Sequence, residues 1–284
     1  MRKFLDFLTK LQWLGLIGLL GSILGNAYLK LFWLFFLLGF IGIFRNIPAF
    51  CQSLLQIISY PVIFFGHRFR LPSKESYVCK TDYILPFEGQ WYAANGGVDR
   101  KTSHSWGVWP QRYAYDFVIL DENEKTFSGD SRRLQDYYCY GRDILAPADG
   151  VVVKVAGRRP DSRVYGDGSV ECRAGDIRGN FITIRHNENE YSTIAHIMPD
   201  SISVRKGQRV LRGQAIAKCG NSGNTSEPHV HFQLNDGRSF FASAGLPIRF
   251  GGVLAKENGI VHPEEYITKG QWVHNTSEKQ GTVP

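Results

Sequence analysis

The sequence predicts an all-β domain preceded by N-terminal transmembrane helices. Three observations carry that expectation. Residues 11–29, 31–44 and 46–66 are three runs without a formal charge. Beyond about residue 90, short alternating segments follow one another between Gly, Asp and Asn turns, with no long 3.6-residue periodicity. Charge is uneven: of the net +7, residues 1–70 hold +6, from seven basic residues and one acidic, while the remainder holds 26 basic and 25 acidic residues. The basic character therefore belongs to the front, and a nucleic-acid-binding footprint on the rest is excluded.

The first uncharged run, nineteen residues long, suffices to span a bilayer; the second is short and the third is interrupted by Pro48 and Pro61. Gln52, Gln56 and Ser59 share a helical face in the third run, so it could also lie in the interface or pack against its neighbours. Gly18, Gly21 and Gly25 form a small-residue stripe that lets helices approach closely. A cleaved signal peptide does not fit, because the apolar length is too great and no small-residue cleavage site follows. Sidedness stays open. Two crossings satisfy the basic-residue count and leave the rest of the chain in the cytoplasm; one or three place it outside.

The strands expected in order are 83–87, 113–120, 150–156, 181–185, 191–197, 208–218 and 229–234. Turns at 148–150 and 186–190 separate some of them. The resulting division is a membrane-anchoring helical region at 1–70, a linker with a first strand at 71–95, a β domain at 96–255, and a polar tail at 256–284 expected to be loosely ordered. Five cysteines, at 51, 79, 139, 172 and 219, lack any metal-type spacing, and their odd number argues against a fully paired disulfide framework, leaving free thiols or one bridge among the four outside the apolar region.

Candidate chemistry centres on residues 220–234, where a Gly/Asn/Ser loop runs through Pro228 into His229-Val230-His231. Alternation puts both imidazoles on one face, about 7 Å apart. One can bind a metal while the other reaches the metal's water. Asp116 falls on an otherwise apolar strand face, where a carboxylate requires an ion pair or a cation. His196 ends the strand at 191–197.

The order Asp116, Leu145-Ala-Pro-Ala-Asp-Gly150, Gly179-Asn180, Ile184-Arg-His186, Ala195-His196-Ile197, Gly207-Gln208, Gly220-Asn-Ser-Gly-Asn-Thr225 and Pro228-His-Val-His-Phe232 resembles the lysostaphin/LytM-type zinc endopeptidases, over about half the chain. The resemblance implies a small, mainly antiparallel sheet domain with a zinc ion (Zn2+) in a groove. It makes Asp116 and His231 metal ligands and His196 and His229 the catalytic pair. One histidine takes a proton from the zinc-activated water and the other stabilises the oxyanion. The family carries a further histidine ligand four residues before the aspartate, where this chain has Arg112, which cannot bind zinc. His104, upstream on a loop, is the candidate replacement.

The expected function is thus a membrane-anchored zinc endopeptidase hydrolysing peptide bonds of peptidoglycan. Its peptidase domain faces the cell-wall side of a bacterial membrane. The alternatives are a degenerate, non-catalytic domain that binds peptidoglycan or regulates a partner hydrolase, and a cytoplasmic zinc peptidase on a two-helix anchor.

Overall fold

The computed structural model describes residues 7–40, 47–171, 175–257, 260–263 and 266–276. Two compact units divide the chain, 1–51 and 52–284.

In the first unit the nineteen-residue uncharged run does not form one helix. A 3-10 turn, Leu11–Leu14, leads into α1, Gly15–Ile23. The helix ends where Gly25 adopts φ +68°, a conformation that costs glycine little. Asn26 then caps α2, Ala27–Lys30, its side chain accepting from the Tyr28 and Leu29 amides. A second 3-10 segment, Leu31–Gly39, folds back along α1. A Cβ on Gly21 would stand 2.6 Å from the Leu29 carbonyl carbon and one on Gly18 2.7 Å from the Trp33 nitrogen, so these two glycines permit a close approach, whereas Gly25, past the helix end, meets nothing within 4 Å. The end of the second run, 41–44, lies outside the described residues.

These breaks overturn the expectation of N-terminal transmembrane helices. Among the described residues, no helix is long and apolar enough to cross a membrane. The third run does form a long helix, α3, Ile47–Gly66, with Pro61 inside it. From Gln52 onward it belongs to the second unit, and its polar stripe faces protein. Gln52 accepts from the Ile177 amide at 3.0 Å and donates to the Gly175 carbonyl at 2.9 Å. Ser59 donates to the Phe241 carbonyl, Tyr60 donates to the Gly107 carbonyl, and the Tyr60 ring stacks on Trp109 at 4.4 Å. Ile57, Val62 and Phe65 face outward instead. That is the reverse of an ordinary surface helix.

The second unit is built on a ten-stranded sheet in the order β11-β10-β12-β1-β2-β9-β6-β5-β4-β7, with a separate two-stranded sheet, β3-β8. The strands are β1 Trp91–Asn95, β2 Tyr115–Val118, β3 Asp143–Leu145, β4 Gly150–Ala156, β5 Asn180–Asn187, β6 Glu190–Ile197, β7 Arg209–Val210, β8 Ala215–Lys218, β9 Val230–Asn235, β10 Val253–Glu257, β11 Ile260–Pro263 and β12 Trp272–Asn275. The pairings between named strands are antiparallel, as expected for an all-β core. Alternation sorts the two faces of the large sheet. Trp91, Tyr115, Phe117, Ile182, Ile184, Ile194 and Phe232 are all buried in one core with Ile144 and Ile216 of the small sheet. Asp116, His231, Gln233 and Thr193 stand on the opposite face.

Three strand expectations change. Residues 83–87 form no named strand: Tyr83 makes an isolated parallel bridge to Phe250, the Ile84 amide donates to the Pro147 carbonyl and the Leu145 amide to the Pro86 carbonyl. The 208–218 segment splits into β7 and β8, which join different sheets. Among the described residues after 255, 260–263 and 272–275 form strands, with β10 pairing to both β11 and β12. Cys51, Cys79, Cys139 and Cys219 are free thiols, and Cys172 lies outside the described residues.

Glu190, at the start of β6, anchors the linker to the sheet. Its carboxylate accepts from Tyr77 Oη, the Lys80 amide, Tyr83 Oη and Asn187 Nδ2 at 2.5 to 3.0 Å. Burial alone would raise its pKa, but these hydrogen bonds outweigh it and hold the group below its ordinary value of 4.5. Glu190→Gln is expected to cost about 2–3 kcal/mol at neutral pH, the loss of charged acceptor bonds. Because the folded-state pKa is depressed, this stabilisation is complete above the unfolded value and is lost as pH falls through the folded one. Denaturant titrations should therefore show the gap between wild type and variant narrowing as pH drops below 4.5. A gap that stays constant or widens contradicts this account.

Candidate metal and catalytic site

The site grows from the pairing of β2 with β9, which sets Asp116 directly opposite His231. Asp116 Oδ1 accepts from His231 Nδ1 at 2.9 Å, while His231 Nε2 meets Gln233 Oε1 at 3.0 Å. Pro228 brings the chain into β9 with His229 just ahead of the strand, its Nε2 3.6 Å from Asp116 Oδ1. His229 Nδ1 donates to the Glu227 carbonyl at 2.8 Å.

His196 arrives by a different device. Ala195 pairs with His231 on the site face, so simple alternation would turn residue 196 into the core. Instead His196 adopts φ +59°. Non-glycine residues seldom occupy this left-handed region, and doing so costs of order 1–3 kcal/mol. Two hydrogen bonds hold it: its amide donates to the Arg178 carbonyl at 2.9 Å and its Nδ1 to the Ser222 carbonyl at 2.7 Å. The ring then lies 4.7 Å from that of His229 and 5.8 Å from that of His231, centroid to centroid. Ligand nitrogens of His196, His229 and His231 all fall within 4.8 Å of one another, a cluster able to hold a metal.

His104 sits on the loop between β1 and β2. Asp99 starts that loop by accepting from the Lys101 and Thr102 amides. Ser103 Oγ donates to the Arg112 carbonyl at 2.7 Å, and Arg112 Nε donates to the Trp106 carbonyl at 3.1 Å with its guanidinium 4.9 Å above the Trp106 ring. His104 Nε2 thereby reaches 3.5 Å from Asp116 Oδ2. Arg112 itself points at Trp106.

All five candidate residues thus line one cavity of about 370 Å³, with Arg178 and Phe240 on its wall. His186 lies elsewhere, half-buried between the Asp149 carbonyl and Ser192 Oγ. His67 pairs with Asp236 at 2.7 Å, away from the cavity. Tyr113 and Tyr115 are buried. Gln233 and Arg178 were not picked out beforehand. Gln233 follows His231 by two residues and so shares its face, a signal the strand period carries. Arg178 comes from a loop and had none.

Electrostatics favour a cation here. Burial would raise the Asp116 pKa, yet the hydrogen bond from His231 and the nearby imidazoles hold it well below the carboxylate range. His231 is the converse: burial pulls it down, but Asp116 and Gln233 keep it above the usual histidine value. Burial lowers His104, and burial beside His229 and His231 drives His196 well down. Carbonyl oxygens only accept, so Nδ1 of His196 and of His229 carries a hydrogen, and the lowered pKa of His196 leaves its Nε2 with a lone pair toward the cavity.

Residues 135–243 match the model of peptidase family M23. Over 70 residues the chain is 41% identical to the peptidoglycan DD-endopeptidase ShyB of Vibrio cholerae, covering 24% of this chain and 16% of that one. Over 86 residues it is 38% identical to the murein hydrolase activator NlpD of Escherichia coli, covering 29% and 22%. The catalytic domain of lysostaphin from Staphylococcus simulans superposes with a TM-score of 0.32 at 18% identity, over 56% of this chain and 88% of that one. The aligned stretches span about a sixth to a quarter of these curated relatives. Residues 135–243 of the β unit are thus similar to peptidase family M23, in line with the resemblance that the motifs carry. The matched segment holds His196, His229 and His231; Asp116 and His104 lie upstream of it.

Proposed function

We propose that residues 96–255 form a zinc endopeptidase domain that hydrolyses peptide bonds of peptidoglycan, with His104, Asp116 and His231 as metal ligands and His196 and His229 as the catalytic pair. The observation that carries this reading is the spacing around Asp116. Ligand atoms of a tetrahedral zinc with bonds of about 2.0–2.1 Å stand roughly 3.3 Å apart. Asp116 has nitrogens of His231 and His104 at 2.9 and 3.5 Å, one on each oxygen. Two imidazoles and a carboxylate are a donor set suited to catalytic zinc. His196, His229 and His231 form an overlapping cluster; backbone carbonyls fix the tautomer of the first two, as they would for a ligand or a base alike, and their assignment to proton work follows the family resemblance.

When bound, zinc would polarise the scissile carbonyl and lower the pKa of a water to about 7. Nε2 of one histidine of the pair takes the proton from the attacking water. The other histidine hydrogen-bonds the oxygen on which charge develops. Gln233 fixes the His231 ring from behind through Nε2, and Nδ1 would give up the proton it shares with Asp116 to serve as the ligand atom. No side-chain nucleophile is required. A peptidoglycan substrate places the domain in the bacterial envelope, on the wall side.

A second reading, a non-catalytic wall-binding or activating module, draws on Arg112 at the usual ligand position and on the likeness to a murein hydrolase activator. Metal analysis of the full chain separates the two. One zinc per chain, with release of peptides from purified peptidoglycan that a chelator stops, is the expected result. Absence of zinc, absence of peptide release and retained wall binding would establish the second reading.

A further inference from the structure

We propose that the sheet face bearing the metal site also carries a saccharide platform, formed by Tyr92 and Trp272. Tyr92 on β1 pairs directly with Trp272 on β12. Their neighbours Trp91 and Val273 are buried in the core, whereas Tyr92 and Trp272 point the other way and are part-exposed. The two rings meet at 5.4 Å and 65°, so one edge braces the other and a ring face stays open.

They floor a cavity of about 750 Å³, twice the volume of the histidine-lined one, with Gln90, Leu120, Asp121 and Lys256 around it. Lys256 pairs with Trp272, and so shares its face. Asp121 is held by its own turn, accepting from the Asn123 and Lys125 amides and from Tyr138 Oη. The Gln90 amide, the Lys256 ammonium and the carboxylates of Glu122 and Glu124 remain around the aromatic floor. An aromatic face with an amide and charged acceptors at its rim suits a pyranose. Its C–H face stacks on the ring and its hydroxyl and acetamido groups take the hydrogen bonds. Three carboxylates against one ammonium disfavour polyanions.

Position ties the platform to the catalytic site. Tyr92 also pairs with Val118, two residues along β2 from Asp116 and on the same face. With about 4.8 Å between strands and 3.4 Å per residue, the Tyr92 and Trp272 backbones lie roughly 8 and 12 Å from that of Asp116. A branched polymer of sugar and peptide could lay its peptide on the histidines and its glycan on these rings. That assignment of the ligand rests on the peptidoglycan reading above.

The test is titration of the full chain with an N-acetylglucosamine tetrasaccharide, followed by calorimetry and by the indole NMR signal of Trp272. Saturable binding is expected, weakened about tenfold or more in Trp272→Ala and in Tyr92→Ala, and partly retained in Trp272→Phe, as removal of a stacked ring predicts. His231→Ala, which removes hydrolysis on the peptidase reading, should bind the sugar as wild type does. Failure of the peptidase reading therefore shows in hydrolysis, and failure of the platform shows in the titration. The proposal is overturned if the wild type does not bind, if Trp272→Ala binds equally well in a folded state, or if the Trp272 signal is unmoved at saturation.

Discussion

Replacing His231 with alanine is expected to remove stoichiometric zinc and to lower kcat/KM for peptidoglycan peptide hydrolysis by about 10⁴-fold or more, the scale on which a metal-activated nucleophile contributes. His231 sits at the centre of the cluster, opposite Asp116 across the β2–β9 ladder and within reach of Gln233. Its loss takes away a metal donor and also leaves the Asp116 carboxylate without its nearest partner. Breaking such a pair costs about 3–5 kcal/mol when it is fully buried, so thermal unfolding must accompany the assay. His231→Gln, which retains a hydrogen-bond donor toward Asp116, supplies a folded control and should be equally inactive. His196→Ala and His229→Ala are expected to behave differently. Each should keep zinc while losing about 10²–10⁴ in kcat, the usual contribution of a general acid–base group. Zinc content thus divides the five side chains into two groups. Should His231→Ala retain zinc and turn over within tenfold of wild type, the ligand assignment is wrong.

How far the site could be read in advance depended on what placed each residue. Asp116 and His231 were legible because strand alternation fixes a face and the large sheet obeys it from β2 to β9, whereas His229 lies just ahead of β9. His196 was legible only as a residue at a strand end. The strand period would have aimed it inward, and the left-handed φ of +59° that redirects it leaves no mark in local composition. His104 followed from the family resemblance, which implies a histidine ligand where this chain has Arg112, a residue that cannot bind zinc. The front of the chain departs from the expected membrane-spanning helices because its apolar length is interrupted. Gly25-Asn26, a turn followed by a helix cap, was present in the sequence and ends α1. In α3 the polar stripe was noted, and its partners are loop carbonyls and amides of the β unit. Strands β10 and β12 were missed because their alternating cores, 253–257 and 272–275, are short and set among polar residues.

His104→Ala should abolish zinc binding and hydrolysis together, and Arg112→Ala should weaken zinc binding about 10–100-fold, as expected when a group that orients a ligand is removed. The difference follows from where each side chain acts. His104 Nε2 faces Asp116 Oδ2 at 3.5 Å, whereas Arg112 holds the loop that carries it, donating to the Trp106 carbonyl and lying over the Trp106 ring. Its backbone takes part as well, since the Arg112 carbonyl accepts from Ser103 Oγ, next to His104. The residue at the family's usual ligand position thus fastens the segment that carries the proposed substitute. Added zinc separates the two roles: hydrolysis by Arg112→Ala should recover as zinc is raised toward saturation, and that by His104→Ala should not. Arg112→Lys keeps the charge but lacks the planar fork that both donates and stacks, so it should resemble Arg112→Ala. A His104→Ala variant that still holds one zinc and hydrolyses normally would place the third ligand elsewhere. An Arg112→Ala variant with undiminished zinc affinity would show that the loop stands without its guanidinium.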